Sequence, residues 1–323
     1  MMNQFVNSLC PEISIVIVNY NSGEFLAGTL QSIINHQPSN EWEVIIFDNA
    51  STDASLERAK SLVKSDARFS FIMNNANAGY GKGNNLGAKD AKGDYILLLN
   101  PDTEITENAI DLLYQYLKNN NDVGSVGPRL IGSDGSSTVS FGFFPNAKGI
   151  ITEAFFPGRF QNAKSGGLGI APDSSITEPL DVGYVCSACL LTKRSIWNEL
   201  DGFDENFFTY FEETDWCWRL RRKLGLRSVF IPFAVVKHFE GRSFTGVPYR
   251  KMKIFVKSAM RFFNQYYPPP LKYLYVVSNI IASAMKVVYL ILTGWVSANR
   301  WKRVQPVLAY QTAFLVSLIK YGR

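Results

Sequence analysis

Short apolar runs that stop at polar turns set the rhythm of the first part of the chain. "ISIVIV" (13–18), "EVIIFD" (43–48), "RFSFIM" (68–73) and "DYILLL" (94–99) are bounded by Asn, Asp, Gly or Pro. Runs this short and this apolar predict buried strands. Between them the pattern predicts helices: one reaching to about Asn35, one after "NASTD" with Ser51 or Thr52 as N-cap, and one after the glycine-rich "NNANAGYGKGNNLG". Strand and helix in alternation predict an α/β fold with a mostly parallel sheet flanked by helices. In such sheets ligands gather beyond the C-terminal ends of the strands. Those ends are Asn19-Tyr20-Asn21, Asp48-Asn49, Asn74–Gly79 and Asn100-Pro101-Asp102. All four are polar, and they should meet at one edge.

Residues 132–180 are rich in Gly, Ser and Pro and predict long loops over the sheet. "VGYVCSACLLT" resumes strand character, "YFEETDWCWRLRRKLG" reads as a helix ended by Gly225, and "RSVFIP" and "AVVKH" read as two further strands. A Lys- and Phe-rich helix over about 248–266 runs into Pro268-Pro269-Pro270, and two apolar segments follow. The first, Tyr273–Ala298, has Lys286 as its one charge and suffices in length for a membrane span. A lysine near mid-span costs about 3 kcal/mol, a penalty that helices lying in the interface avoid. Interfacial attachment is therefore expected, with a true span, or packing on the rest of the chain or on a second subunit, as the alternatives.

Charge sharpens this division. The 323-residue chain has a net charge of +5, but no Asp or Glu follows Glu240, while 13 Lys and Arg do. An acidic body with a basic, apolar tail implies an anionic partner, and the apolar content favours a membrane surface over nucleic acid. The N-terminus "MMNQFVNSLCPE" lacks the basic start and apolar core of a secretory signal. Cys186-Ser-Ala-Cys189 has metal or redox spacing, but no second Cys/His pair lies near it, so buried small residues are expected, in keeping with a reducing cytosol.

The glycine-rich turn fails the G-x-G-x-x-G fingerprint, since Asn84 and Leu86 stand where the last glycine should be. It remains a turn at a helix N-terminus with Lys82 beside it, suited to anions. Four features in order carry more: "DNASTD" after strand two, "NAGYGKGNNLG" after strand three, "NPD" after strand four, and far downstream "GFDENFFTYFEETDW" with "HFEGRS". From about Ile13 to Phe244 this order resembles glycosyltransferase family 2, the inverting GT-A enzymes, especially its rhamnosyltransferase-like and galactofuranosyltransferase-like members.

The resemblance implies a GT-A catalytic domain over 1–245, with a nucleotide-sugar half at about 13–130, an acceptor half at about 131–245, and a helical membrane-associating region over 246–323. It implies donor contacts from Asn19, Tyr20, Asp48, Asn49, Gly79, Lys82, Asn84 and Arg242. Asn100-Pro101-Asp102 takes the place of the family's Asp-x-Asp metal motif; Asn carries no charge, so Asp102 is the expected ligand and Asn100 a donor or water contact. His238 would complete a site for Mn²⁺ or Mg²⁺, with diphosphate oxygens and water filling the octahedron. Glu213 takes the place of the catalytic base, a Glu where Asp is usual, with Glu212, Asp204 and Asp215 on the acceptor side. Trp216, Trp218, Tyr210 and Phe211 are candidates for stacking on sugar or for core packing. His36, before Pro38, is expected to have no catalytic part. The implied reaction is metal-dependent transfer of a sugar, L-rhamnose from its dTDP donor, to a lipid-linked or polysaccharide acceptor at the cytoplasmic face of the membrane, by a peripheral protein for which a homo-oligomer is one option. UDP-linked galactofuranose or another hexose, and an inactive sugar-nucleotide-binding scaffold, are the alternatives.

Overall fold

A computed structural model describes residues 10–155, 169–239, 248–294 and 298–321. Its first half follows the hydrophobic pattern: β1 (Ile13–Asn19), α1 (Phe25–Asn35), β2 (Trp42–Asp48), α2 (Ser55–Leu62), β3 (Phe69–Met73), α3 (Tyr80–Ala88) and β4 (Tyr95–Leu99). Every residue of β1 and β4 is buried, as expected of central strands covered on both faces. The N-cap position of α2 is Ala54, which has no capping side chain, and neither Ser51 nor Thr52 fills it; Asp53, just before it, accepts the Ser55 N–H on Oδ1 at 3.1 Å. The next elements are β5 (Thr103–Ile105), α4 (Ala109–Asn119), β6 (Val123–Ile131), β7 (Phe141–Gly142) and α5 (Ala147–Phe155). The chain continues through β8 (Leu180–Val182), β9 (Tyr184–Val185), β10 (Cys189–Lys193), α6 (Arg194–Glu199), α7 (Glu212–Arg219) and β11 (Arg227–His238). α7 runs on through a π-helical turn, Leu220–Leu224, and stops at Gly225 with φ +68°, as the sequence pattern predicts.

Nine strands form the main sheet in the order β3-β2-β1-β4-β10-β6-β11-β5, with β8 also on β11. β1 through β4 are mutually parallel, β10 runs against β4 and β6, and β11 runs with β6. The chain moves outward from β1 to β3 and then returns to place β4 on the other side of β1. That reversal opens a crevice at the C-terminal ends of β1 and β4. Alternate residues of β1 serve two cores: Ile13, Ile15 and Ile17 pack with α1 and α4, while Val16 faces a second core with Ile96, Leu98 and Trp216.

Three elements differ from the sequence expectation. "RSVFIP" and "AVVKH" are one strand, β11, whose register against β6 shifts between Ile231 and Val235. Pro232 has no N–H for the ladder, so the pairing breaks there and resumes after the bulge. β6 is a central strand despite Gly124, Gly127 and Pro128, because a Cβ on either glycine would come within 2.6–2.7 Å of Leu220 or Val185. α5 lies inside the stretch expected to be loop.

α8 (Pro248–Tyr266), α9 (Pro269–Gly294) and α10 (Ala298–Tyr321) form the C-terminal helical region. Val256, Phe262 and Phe263 of α8 share a core with Phe207 and Phe211 of the β-sheet body, Tyr275 of α9 and Leu318 of α10. α9 carries a 24-residue stretch, Pro269–Leu292, long and apolar enough by composition to cross a membrane, yet one face of the helix is open. Val277, Met285 and Leu292 on it are 52%, 60% and 71% exposed.

Candidate active site

The NPD turn follows directly from β4 and is held from below. Thr29 of α1 donates its hydroxyl to the carbonyl oxygens of Pro101 and Thr103 at 2.9 and 2.7 Å, and Thr103 Oγ1 donates to the Asn100 carbonyl at 2.8 Å. β5 then pairs with the end of β11, setting Thr103 opposite His238. The result is His238 Nε2 at 3.3 Å from Asp102 Oδ1 and 3.2 Å from Asn100 Nδ2. Residues distant in sequence by more than half the domain thus meet as the family pattern implied. Asn100 Oδ1 is buried there with no hydrogen-bond partner among the described residues.

This donor set fits a divalent cation. Two cis ligands of an octahedral ion at about 2.1 Å lie about 3 Å apart, close to the separation found here, and a carboxylate with an imidazole suits Mn²⁺ or Mg²⁺. Among the described residues no group of three or more His, Cys, Asp or Glu forms a fuller cage.

At the ends of β1 and β2 the polar residues form one network. Asn19 Nδ2 donates to Asp48 Oδ1 (2.7 Å), Ser51 Oγ (3.0 Å) and Ser55 Oγ (2.9 Å), while the Ser51 N–H donates to Asp48 Oδ2 at 3.0 Å. Asn21 and Asp53 complete it: Thr52 N–H donates to Asn21 Oδ1, and Gly23 N–H to Asp53 Oδ2; burial raises the Asp53 carboxyl, but hydrogen bonds from the Ser55 hydroxyl and the Gly23 and Ser55 N–H groups hold it below its usual range. Asn49 carries the adjoining turn, donating to Asn77 Oδ1 and the Gly79 carbonyl and accepting from Ala78 N–H. Tyr20 stands exposed at the rim.

The glycine-rich turn has a packing role. Gly79 has φ +91°, and a Cβ there would fall 2.5 Å from the Phe208 carbonyl oxygen, which instead accepts the Tyr80 N–H at 2.7 Å. Segment 203–211 therefore sits on the start of α3, where an open anion site was expected. Lys82 pairs with Glu205 at 2.9 Å, and Asn84 is buried with its amide on the Tyr80 carbonyl. Asn85, which sequence reasoning passed over, fastens Phe203 through both its N–H and its carbonyl. Side-chain amides in a glycine-rich helix were the one available signal.

Glu212 and Glu213 open α7 just after two consecutive non-glycine residues in left-handed conformation, Tyr210 (φ 68°) and Phe211 (φ 71°). Such backbone strain persists only where the surroundings enforce it, and it concentrates at functional sites. Both rings pack on Phe255 of α8, which supplies that enforcement. Glu212 is buried, and Oε2 of each glutamate is buried without a hydrogen-bond partner among the described residues. Burial pushes the Glu213 carboxyl up to about 7, although the first-turn N–H groups of α7 pull it down. Glu212 is raised by burial and by the charge of Glu213. The pair is tied to the metal-ligand turn through Tyr80. Its buried phenol donates to the Ser187 carbonyl at 2.8 Å and feels both glutamates, while the neighbouring Ala188 carbonyl accepts the Asn100 N–H at 2.9 Å.

The remaining candidates are occupied elsewhere. Asp215 is fully buried, with Oδ2 on Arg219 Nε at 2.8 Å and Oδ1 accepting the Tyr266 hydroxyl at 2.6 Å. Asp204 pairs with Arg261 at 2.7 Å. Both carboxylates, expected on the acceptor side, join the body to α8. Trp216 packs on Trp197, and Trp218 on Phe144, Phe262, Tyr266 and Tyr267, so the four aromatic candidates are all packed within the protein. Cys189 and Cys217 are buried thiols, both raised by burial. His36 is exposed at the end of α1. Arg242 lies outside the described residues.

A mostly parallel sheet whose order reverses between β1 and β4, with the NPD turn and His238 at the strand ends, has the architecture of the GT-A glycosyltransferases. The Glycosyl transferase family 2 model matches residues 14–166. A Mycobacterium tuberculosis N-acetylglucosaminyl-diphospho-decaprenol L-rhamnosyltransferase is 30% identical over 72% of this chain and 77% of its own length. The chain belongs to glycosyltransferase family 2. A Haloferax volcanii low-salt glycan biosynthesis hexosyltransferase, Agl10, is 26% identical over 67% of this chain, and the match spans 64% of that protein. The Pyrobaculum calidifontis mannosyltransferase PcManGT, solved with GDP-Man and Mn²⁺, superposes with a TM-score of 0.60 at 14% identity, covering 97% of this chain and 88% of that one.

Proposed function

We propose that this protein is an inverting, metal-dependent hexosyltransferase that moves L-rhamnose from dTDP-L-rhamnose to a hydroxyl of a lipid-linked or polysaccharide acceptor in cell-surface glycan synthesis. The observation that carries the reading is Glu213, whose buried, unpartnered carboxylate oxygen and raised pKa of about 7 suit a general base at neutral pH. Glu213 takes the proton of the acceptor hydroxyl. The acceptor oxygen then bonds to the anomeric carbon from the face opposite the nucleotide, and the bond from that carbon to the diphosphate oxygen breaks. Asp102 and His238 hold the cation; when bound it neutralises charge on the departing diphosphate. Asn100 Oδ1, buried beside them, accepts a hydrogen bond from a ligand hydroxyl or water.

The rhamnosyl specificity is supported by the name of the mycobacterial relative and by the sequence resemblance. The basic, apolar C-terminal helices support peripheral work at the cytoplasmic face of an inner or plasma membrane, where a lipid-linked acceptor is presented. A panel of sugar nucleotides incubated with the purified protein and Mn²⁺ or Mg²⁺, scored for released nucleoside diphosphate, tests the donor. Release from dTDP-L-rhamnose is expected. Release from UDP-galactofuranose or another UDP-hexose alone would replace the sugar, and none from any donor, with or without acceptor, would favour an inactive binding scaffold.

A further inference from the structure

On the side of α8 that faces the end of α10 lies an open cavity of about 440 Å³, bordered by Lys257, Arg261, Asn264, Gln265 and Tyr321. The ammonium groups of Lys253, Lys257 and Lys320 stand 5.9, 5.1 and 5.5 Å from the centre of the Tyr321 ring. Among the described residues no carboxylate pairs with any of the three. The nearby acid, Asp204, is taken by Arg261. Three like charges converging on one ring repel one another unless an anion joins them. The phenol of Tyr321 registers the same field: desolvation pushes it up, yet Lys253 and Lys320 hold it below its usual value. Asn264 and Gln265 border the cavity as well, the Gln265 amide already donating to the Tyr266 hydroxyl at 2.9 Å.

We propose that this cleft between α8 and α10 is a binding site for a phosphate or diphosphate group. Lysines are point-charge phosphate ligands, and a lipid headgroup and a soluble diphosphate are the two sources of such a group. The site is separate from Asp102 and His238, and it stands whether or not the protein transfers rhamnose. Helix α8 is joined to the body through Arg261–Asp204 and Tyr266–Asp215.

The test uses the full chain and two charge-matched double variants, Lys253→Gln/Lys257→Gln in the cleft and Lys251→Gln/Lys272→Gln outside it. Each is read by flotation with phosphatidylcholine vesicles, with and without phosphatidic acid, and by the melting shift on adding inorganic diphosphate. Binding to phosphatidic acid vesicles that falls about thirtyfold in the cleft pair and holds in the outside pair supports the site with a lipid source. A diphosphate melting shift lost only in the cleft pair, without vesicle binding, supports the same chemistry with a soluble source. Equal losses in both pairs, or no response to either probe, would overturn the proposal. Donor hydrolysis measured on the same samples separates this outcome from failure of the transferase reading.

Discussion

His238 Nε2 stands 3.3 Å from Asp102 Oδ1 because Thr103 pairs with His238 across β5 and β11. A three-residue strand therefore carries the register of the whole candidate metal site, and a slip of one residue would turn His238 to the other face. Asp102→Ala and His238→Ala should each lower transfer by about a hundredfold or more and weaken Mn²⁺ binding measured by titration calorimetry. Wild-type metal affinity in either variant would remove that residue from the site.

Gly79 and Phe208 make a second such dependence. The φ of +91° and the 2.5 Å approach of a Cβ to the Phe208 carbonyl both forbid a side chain. Gly79→Ala should cost about 2–3 kcal/mol or more, read by urea denaturation, and should loosen segment 203–211. Gly135, with φ +79° and open space around it, is the control: Gly135→Ala meets backbone strain alone and should cost less.

The parallel half of the fold was legible because β1, β2 and β4 are unbroken buried runs, and the site edge followed from where they end. β6 was not, since Gly124, Gly127 and Pro128 mask a strand whose glycines answer to Leu220 and Val185 from other parts of the chain. Asp102, His238 and Glu213 were singled out through motif order, and the structure brings the first two within 3.3 Å of each other. The engagement of Asp204 and Asp215 with α8 was not, because a carboxylate's partners depend on tertiary packing and an acidic helix start looks the same whether it binds sugar or arginine. Asp53 lay inside a quoted motif and needed only the count of N–H groups at the start of α2 to be found.

Asp215 is buried between Arg219 and Tyr266, so Asp215→Ala leaves a largely buried guanidinium with one fewer partner. Removal of one member of such a pair typically costs about 3–5 kcal/mol. The Arg219 bonds to the Leu200 and Gly202 carbonyls remain, so the low end is expected. Thermal melting checks the loss, and faster tryptic cleavage in α8 would show that the helix has come loose from the body.

The open face of α9 predicts lipid contact. Met285→Ser/Leu292→Ser removes two of its most exposed apolar residues and should release the protein from membranes by about tenfold or more, at about 25 cal/mol per Å² of apolar area. The folded protein should melt unchanged, since neither side chain is buried. Flotation with native membrane extract reads the first effect, and retention at the wild-type level would show that this face meets something other than lipid.

Glu213 gives a prediction with a defined sign. Its carboxyl is raised by burial to about 7 in the folded chain, above the ordinary glutamate value it regains on unfolding. The protonated form is therefore the one the fold favours. The stability this contributes is complete below the unfolded pKa and is lost as pH rises through about 7. Glu213→Gln keeps the neutral form at every pH, so its melting temperature should match wild type in acid and exceed it above neutrality, by on the order of 2 kcal/mol after discounting for its partial exposure. Activity runs the other way. A base must be ionised, so wild-type transfer should climb with pH and level off above about 7, while Glu213→Gln should lose about 10²–10⁴-fold and still bind donor. Opposite slopes of stability and turnover on one pH axis are the signature of a base held in a buried site, and a flat melting difference would assign the pH profile to another group.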